Sequence, residues 1–421
     1  MIKRPKRPRR PTIFERLPEE LRQCLVPYCD STTIFNLCIT SKATYNACIG
    51  LLYFHIDLSC HNATDLRRHN FHSVLDVTLD HLHASQTDAE RRLLLRQSKF
   101  SDLVLENPQL VSHTRSFKWT CLSTDQWYVP GSPEHVPSYA RLNYGSDQLW
   151  TTFSCFTAVN EIDLAFLTGK PDTSIPPPSL FPTATSLSLT GMPTSATLSS
   201  IFSSITPSKL KHLRLNNLHS IPTTPTTHHV GFALGHLSSL TNRCTSLQSF
   251  HYHSTAEYFP GSAPHHQHHP TLWQQIMQKE TLRFTELAAF IESVKFTLRD
   301  FFFEHGPDID YVGSSVSAQQ RQNNPLPMDQ LFDAHLRPVI STGPWPQLRR
   351  FRLLGIGYRD PMFVTTSWLE EGSQNDVHVY RDDVKMLLDA MPGVCEIAVS
   401  DKAGRPFYNH VVSGKFLVLG M

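Results

Sequence analysis

The chain is short of several things that announce a function. It holds no C-x-x-C pair, and its nine cysteines are odd in number and scattered from Cys24 to Cys395. A disulfide framework of the kind that staples small secreted domains is therefore not expected, and the thiols read as reduced apolar fillers. No stretch approaches the ~18 to 20 consecutive apolar residues that a membrane helix needs, and no apolar segment follows the basic N-terminus as in a secretory signal. Charge is scarce as well: 18% of residues are charged, against ~25% in an average soluble chain. G-x-S-x-G, H-E-x-x-H, G-x-x-x-x-G-K-[ST] and G-x-G-x-x-G are all missing, so the familiar hydrolase, zincin and nucleotide signatures do not apply, and an enzyme is disfavoured.

What is present is length, proline and a core. The 421 residues allow two or three domains, 40% are hydrophobic and 10% aromatic, and 30 prolines punctuate the chain. The formal net charge is +1, but Lys3, Arg4, Lys6, Arg7, Arg9 and Arg10 crowd the first ten residues, leaving 32 cations against 37 anions, a net of −5, in the rest. A mildly acidic body is poorly suited to wrapping nucleic acid, which is bound by clustered cations that release counterions. The opening run MIKRPKRPRRP interleaves cations with prolines and cannot form a helix. It reads as an extended arm over residues 1–12, either a nuclear-import signal or a plain solvated tail, and the expected location is cytoplasmic or nuclear.

Next comes the stretch IFERLPEELRQCLVPYCDSTTIFNLCITSKATYNACIGLLYFHIDLS. Pro18 suits the first turn of a helix, and Glu19 and Glu20 suit the positive end of its dipole. Leu21, Cys24, Leu25 and Tyr28 follow as one apolar stripe. Asp30 and Ser31 provide a break and a cap, Ile34, Leu37 and Cys38 lie at helical spacing, and Ser41 can cap a third helix through Tyr45, Cys48, Ile49 and Leu52. Three short helices in about forty residues bury little surface alone and need a partner or the remaining chain against them.

The order Leu17, Pro18, Glu19, Leu21, Leu25, a break, Ile34, Leu37, then Ser41, Lys42 and Tyr45 resembles an F-box of the variety common in fungal proteins. The continuation LLYFHIDLS and the segment LVLENPQLVSHTRSFKW, residues 103–119, are similar to the strand after such F-boxes and to the entry of their leucine-rich-repeat-like region. The resemblance covers roughly the first 120 residues. Cys24 and Cys38 stand where bulkier aliphatics are common, and Tyr45 near a position often held by Trp. The resemblance implies that Leu17, Pro18, Leu21, Leu25, Ile34 and Leu37 form a face for a Skp-type adaptor of a cullin ubiquitin ligase, with Ser41 and Lys42 at its rim. A protein target would then be held further along the chain. The bland alternative is a helical cap that binds no adaptor.

The expected organisation is an F-box-like module over 13–58, a helical linker or cap over 59–112, and an irregular leucine-rich-repeat-like domain over 113–421. Short alternating strands recur around Phe117, Ile162, Leu187, Leu213 and Phe250, within 296–303, and around Phe351 and Ile397. Ile162 to Leu187 is 25 residues and Leu187 to Leu213 is 26, close to the ~20 to 29 of a leucine-rich repeat, and LKHLRLNNL approaches its L-x-x-L-x-L-x-x-N pattern. Helical fragments at 196–205, 271–294 and 381–391 alternate with the strands, so the expected fold class is α/β, a solenoid. Segments rich in Pro, Ser and Thr at 168–179, 219–229, 254–270 and 313–327 read as inserted loops.

Three clusters compete for a role. His265, His266, His268 and His269, with His251 and His253 upstream, have no Cys or carboxylate beside them and no element to fix their geometry, so a polar loop is expected in place of a metal site. Phe301, Phe302 and Phe303, beside Arg299 and Glu304, are expected to place two rings in the core, with an exposed target anchor as the alternative. Trp119, Trp127, Tyr128 and Trp150 are candidates to line a concave pocket. No cofactor is expected. The functional expectation is a substrate receptor of a Skp–cullin–F-box ligase; the alternative is a repeat scaffold without ligase linkage.

Overall fold

The structure is a computed structural model that describes residues 16–18, 21–22, 24, 28–59, 88–121, 147–166, 180–191, 193–216, 218–220, 231–232, 234–255, 270–306, 331–354, 390–391, 393, 396–400, 406–411 and 416–418. The basic arm 1–12, the His cluster 265–269, Trp127, Tyr128 and most of the helix expected over 381–391 lie outside these residues, as do most of the four expected loops.

Two helices open the described chain. Helix α1, Ser31–Thr40, starts where the Asp30 side chain accepts from the Thr33 N–H at 2.6 Å. Helix α2, Lys42–Leu52, starts where Ser41 Oγ accepts from the Thr44 N–H at 3.1 Å. Each cap satisfies a donor that the first helical turn leaves open. The two helices pack through Ile34, Cys38, Cys48 and Leu51, a small core separate from the main one. The helix expected from Pro18 falls largely outside the described residues; its Arg22 reaches α2, donating to the Ala47 carbonyl at 2.5 Å.

The rest is an α/β fold on one open sheet. Strands β1 (His55–Leu58), β2 (Ser116–Cys121), β3 (Glu161–Phe166), β4 (Ser186–Gly191) and β5 (His212–Asn216) follow in chain order. A two-stranded hairpin, β6 (His219–Ser220) with β7 (Gly231–Phe232), stands apart. The sheet continues through β8 (Ser249–Thr255), β9 (Asp300–Gly306), β10 (Arg350–Leu354), β11 (Glu396–Ser400), β12 (Pro406–Val411) and β13 (Phe416–Val418). Its order is β1-β2-β3-β4-β5-β8-β9-β10-β11-β12-β13. Pairing is parallel from β1 to β11 and antiparallel beyond. Strand β1 follows directly on the helical pair, so the sheet begins before residue 113.

Parallel neighbours in chain order require the chain to return to the same end of the sheet between strands, and the described helices lie in such connections. These connections are α3 (Asp88–Glu106), α4 (Asp147–Ser154), α5 (Ser195–Ser204), α6 (Pro270–Val294), and a π turn over Phe332–Leu336 running into α7 (Arg337–Ser341). The strand residues anticipated from the sequence, with Phe301 from the 296–303 run, fall in one register row: Phe117, Ile162, Leu187, Leu213, Phe250, Phe301, Phe351 and Ile397. Apolar residues three and six places earlier complete the unit, as in Phe181 and Ala184 before Leu187, and Trp345 and Leu348 before Phe351, all of them buried. Lys295 occupies the earlier position ahead of β9, its Nζ 2.6 Å from Glu292.

The strand starts are aligned by the main chain. The Phe54 carbonyl accepts from the N–H of Arg115 and Ser116, that of Arg115 from Asn160 and Glu161, and that of Asn160 from Thr185 and Ser186. The series continues from Thr185 to Lys211 and His212, from Lys211 to Gln248 and Ser249, from Gln248 to Arg299 and Asp300, and from Arg299 to Arg349 and Arg350. Seven carbonyls thus each take two donors, which satisfies buried polar groups and fixes the register at every step.

One sheet face is covered by the helices, and the continuous core lies there. Trp119 and Trp150 belong to it, in edge-to-face contact with Phe153 at 5.3 and 5.7 Å between centroids. Both expected pocket-lining tryptophans in the described chain are therefore core residues, because their strand and helix phases turn them inward. Phe301 and Phe303 also point into the core, while Phe302, on the opposite face, is only 5% exposed.

Candidate functional site

Two surfaces stand out. The first is the outer side of the helical pair. Leu17 is half-buried and Pro18 exposed, Leu21 is exposed, Leu37 half-buried, Ser41 occupied as a cap and Lys42 exposed; Leu25 lies outside the described residues. Ile34 is 4% exposed, inside the small core and not on an outer face. The outward positions of α1 are instead Phe35, 51% exposed, and Ile39, 66% exposed, one turn apart, with Tyr28 and Tyr45 also exposed. Periodicity cannot choose between the two stripes, since 34 and 38 are apolar and so are 35 and 39.

The second surface is the part of the opposite sheet face near the strand starts, which no described helix covers; two residues further along, the same-face positions Thr120, Ala165, Thr190 and His253 are buried. Alternation along each strand brings two outward residues from every strand into two rows. One row runs His55, Ser116, Glu161, Ser186, His212, Ser249, Asp300, Arg350, and the other Asp57, Lys118, Asp163, Ser188, Arg214, His251, Phe302, Arg352. These positions are exposed or half-buried except Phe302.

Charge on this face is sorted. Strands β1 to β3 carry Asp57, Glu161 and Asp163 with His55 and Lys118, whose Nζ is 3.9 Å from Asp163. Strand β4 places Ser186 and Ser188 in these rows, and the Ser188 hydroxyl is buried with no hydrogen-bond partner among the described residues. Strands β5 to β10 present Arg214, Arg350 and Arg352, with His212 and His251 among them. Asp300 is the anion at their centre: its carboxylate is 3.1 Å from His251 Nε2 and 2.8 Å from Arg350 Nη2. Burial would raise the Asp300 carboxyl, but the hydrogen bond from His251 and the charges of His251, Arg350 and Arg352 outweigh it and hold the group below the usual carboxylate range. His212 is held below the ordinary imidazole range, chiefly by desolvation.

No family model matches the chain, and no curated protein matches it. Function is therefore argued from these surfaces.

A third polar feature lies under the sheet. On α6, Glu280 and Arg283 are buried and paired, and Arg283 donates to Tyr252 Oη at 3.1 Å and to Ser254 Oγ. Burial pushes the Glu280 carboxyl up against the pull of Arg283, and burial likewise raises the Tyr252 phenol. The pair ties α6 to β8 and opens onto neither surface, so its part is structural. Among the described residues no group of three or more His, Cys, Asp or Glu gathers as a metal site. Nor is any described helix long and apolar enough to cross a membrane.

Sequence reasoning missed the open-face residues. The signal was there in the phase of each strand: once Leu213 and Leu215 face the core, His212 and Arg214 must face away.

Proposed function

We propose that this chain is the substrate receptor of a Skp–cullin–F-box ubiquitin ligase, acting in the cytoplasm or nucleus, with the helical pair as the adaptor-binding face and the open sheet face as the target-holding one. The protein then makes no bonds itself. It raises the effective concentration of a target beside the ligase by holding both, a tethering effect.

The observation that carries the reading is the apolar side of α1. Phe35 and Ile39 remain exposed on a helix whose inner face is already filled by Ile34 and Cys38. Adjacent exposed apolar groups of this size mark association surfaces more often than bare solvent-facing helix. Its position after the Leu17-Pro18 segment matches where the F-box resemblance asks for an adaptor. The leucine-rich-repeat-like reading is supported by parallel strands that pair in chain order and by the repeated two-donor carbonyls at their starts.

The test is retention of the full chain by an immobilised Skp-type adaptor, beside a Phe35→Ala, Ile39→Ala variant and a Leu17→Ala, Pro18→Ala variant. The side chains at 35 and 39 are outside the core, so that variant should unfold with the wild type. Retention of the wild type and loss in the variants supports the ligase link. No retention of the wild type removes it and leaves a repeat scaffold that binds its target alone.

A further inference from the structure

We infer that the open sheet face takes an extended bipolar peptide: an anionic stretch, carboxylate or phosphate, over β5–β10, joined to a cationic stretch over β1–β3. The inference rests on the reading of this face as the target-holding surface and adds the chemistry of the target.

The charge arrangement selects such an occupant. Arg214 projects from β5 and Arg350 and Arg352 from β10, three strand steps away, and guanidinium groups take carboxylate or phosphate in paired hydrogen bonds. Arg350 is 56% exposed at its side chain and Arg352 is exposed, so both reach a ligand without losing burial. Asp300 contacts both Arg350 and His251 and so holds them side by side on the face. On the other side Asp57, Glu161 and Asp163 outnumber Lys118, which suits lysine or arginine on a ligand. The neutral serines of β4, Ser186 and Ser188, lie between the two charged halves.

Dimensions agree with a peptide. From Glu161 on β3 to Arg350 on β10 is five strand steps of ~4.8 Å, about 24 Å, or about seven residues of extended chain at ~3.3–3.6 Å each. A nucleic acid strand fits worse. Its charge is uniform, so a strand long enough to cover β5–β10 and continue across the face meets Glu161 and Asp163, and on the far side Glu396 is the register partner of Arg350.

The experiment is fluorescence anisotropy with the full chain and dye-labelled ten-residue peptides. One carries two lysines and three glutamates at opposite ends with neutral residues between. A second replaces the glutamates by phosphoserines, a third interleaves the first peptide's charges at identical composition, and a ten-nucleotide single strand is the fourth probe. At least about tenfold tighter binding of a bipolar peptide than of the interleaved one is expected. So is at least about tenfold weakening in Arg350→Glu, Arg352→Glu and, independently, in Glu161→Lys, each checked for unchanged unfolding. Binding of the phosphoserine form alone assigns phosphate, and binding of both assigns anions generally; either supports the inference.

Equal binding of the interleaved peptide, no binding of any peptide, or oligonucleotide binding that is lost in the double arginine variant overturns it. Adaptor retention reads a different surface. A chain that binds the bipolar peptide and not the adaptor fails the ligase reading and keeps this one, and the reverse result fails this one alone.

Discussion

Gly191 closes β4 with φ +89°, a conformation that side chains with a Cβ rarely adopt, and a Cβ there would lie 2.2 Å from the Phe166 carbonyl oxygen on β3. Gly191→Ala therefore meets two penalties. The left-handed backbone costs about 1–2 kcal/mol. The clash is with main chain, so relief requires β3 and β4 to part by about 1 Å at their paired ends, Phe166 and Gly191, at a further cost of about 1–2 kcal/mol from weakened pairing and the packing of buried Phe166. The total is about 3 kcal/mol. Gly235 supplies an internal control: its φ is +82°, but a Cβ there meets nothing within 4 Å, so Gly235→Ala should cost only about 1–2 kcal/mol. Asparagine, which tolerates the left-handed region, should rescue position 235 and fail at 191. Urea unfolding followed by the fluorescence of buried Trp119, Trp150 and Trp345 reads all four variants. Equal effects of alanine at the two sites, or rescue of 191 by asparagine, would refute the steric argument.

Further outcomes are expected. Phe301 is stacked between Phe250 and Trp345 with Phe351 beside it, so Phe301→Ala should destabilise by about 3–5 kcal/mol in the same assay, and a loss under 1 kcal/mol would contradict its placement. The carboxyl of Asp300 titrates lower in the folded chain than the ~3.9 of an unfolded one, so its contribution is present above about pH 4 and fades as pH falls through the lower folded value. Asp300→Asn should therefore cost up to about 1 kcal/mol at pH 7, allowing for solvent screening, and the gap to wild type should close in acid; a gap that widens in acid would reverse the sign of the argument. Burial raises the Cys121 thiol well above its usual range and pushes Cys244 up to about 12, whereas Cys24 is exposed. Alkylation of the native protein at pH 8, read by mass spectrometry, should label Cys24 and spare Cys121 and Cys244 until the chain is unfolded.

Much of the sheet was legible from sequence because its signal is local. Leu187, Leu213 and Phe250 each sit in a short alternating run, and a parallel strand with apolar residues on its covered face gives the same pattern wherever it lies in the sheet. The α5 and α6 helices were legible for the same reason. The outer face of α1 was not, because two apolar stripes one residue apart compete and only the packing of α2 decides between them. The Glu280–Arg283 pair was invisible for a different reason. Three residues apart on a helix, such a pair ordinarily faces water, and its burial depends on Tyr252 and Ser254, about thirty residues away in sequence. The sorted charges of the open face required the register of seven strand pairings before any pattern emerged.

The carbonyls at the strand starts belong to Phe54, Arg115, Asn160, Thr185, Lys211, Gln248 and Arg299, seven residues of six kinds. The peptide group does the aligning, and side chains only add to it, as where Thr185 Oγ1 donates to the Asn160 carbonyl at 3.3 Å and Arg115 Nη1 to the Ala158 carbonyl at 3.3 Å. A fold whose spacing is written in main-chain atoms keeps few obligatory letters, so chains of this design can diverge until they no longer resemble one another in sequence while still stacking strand upon strand in the same way.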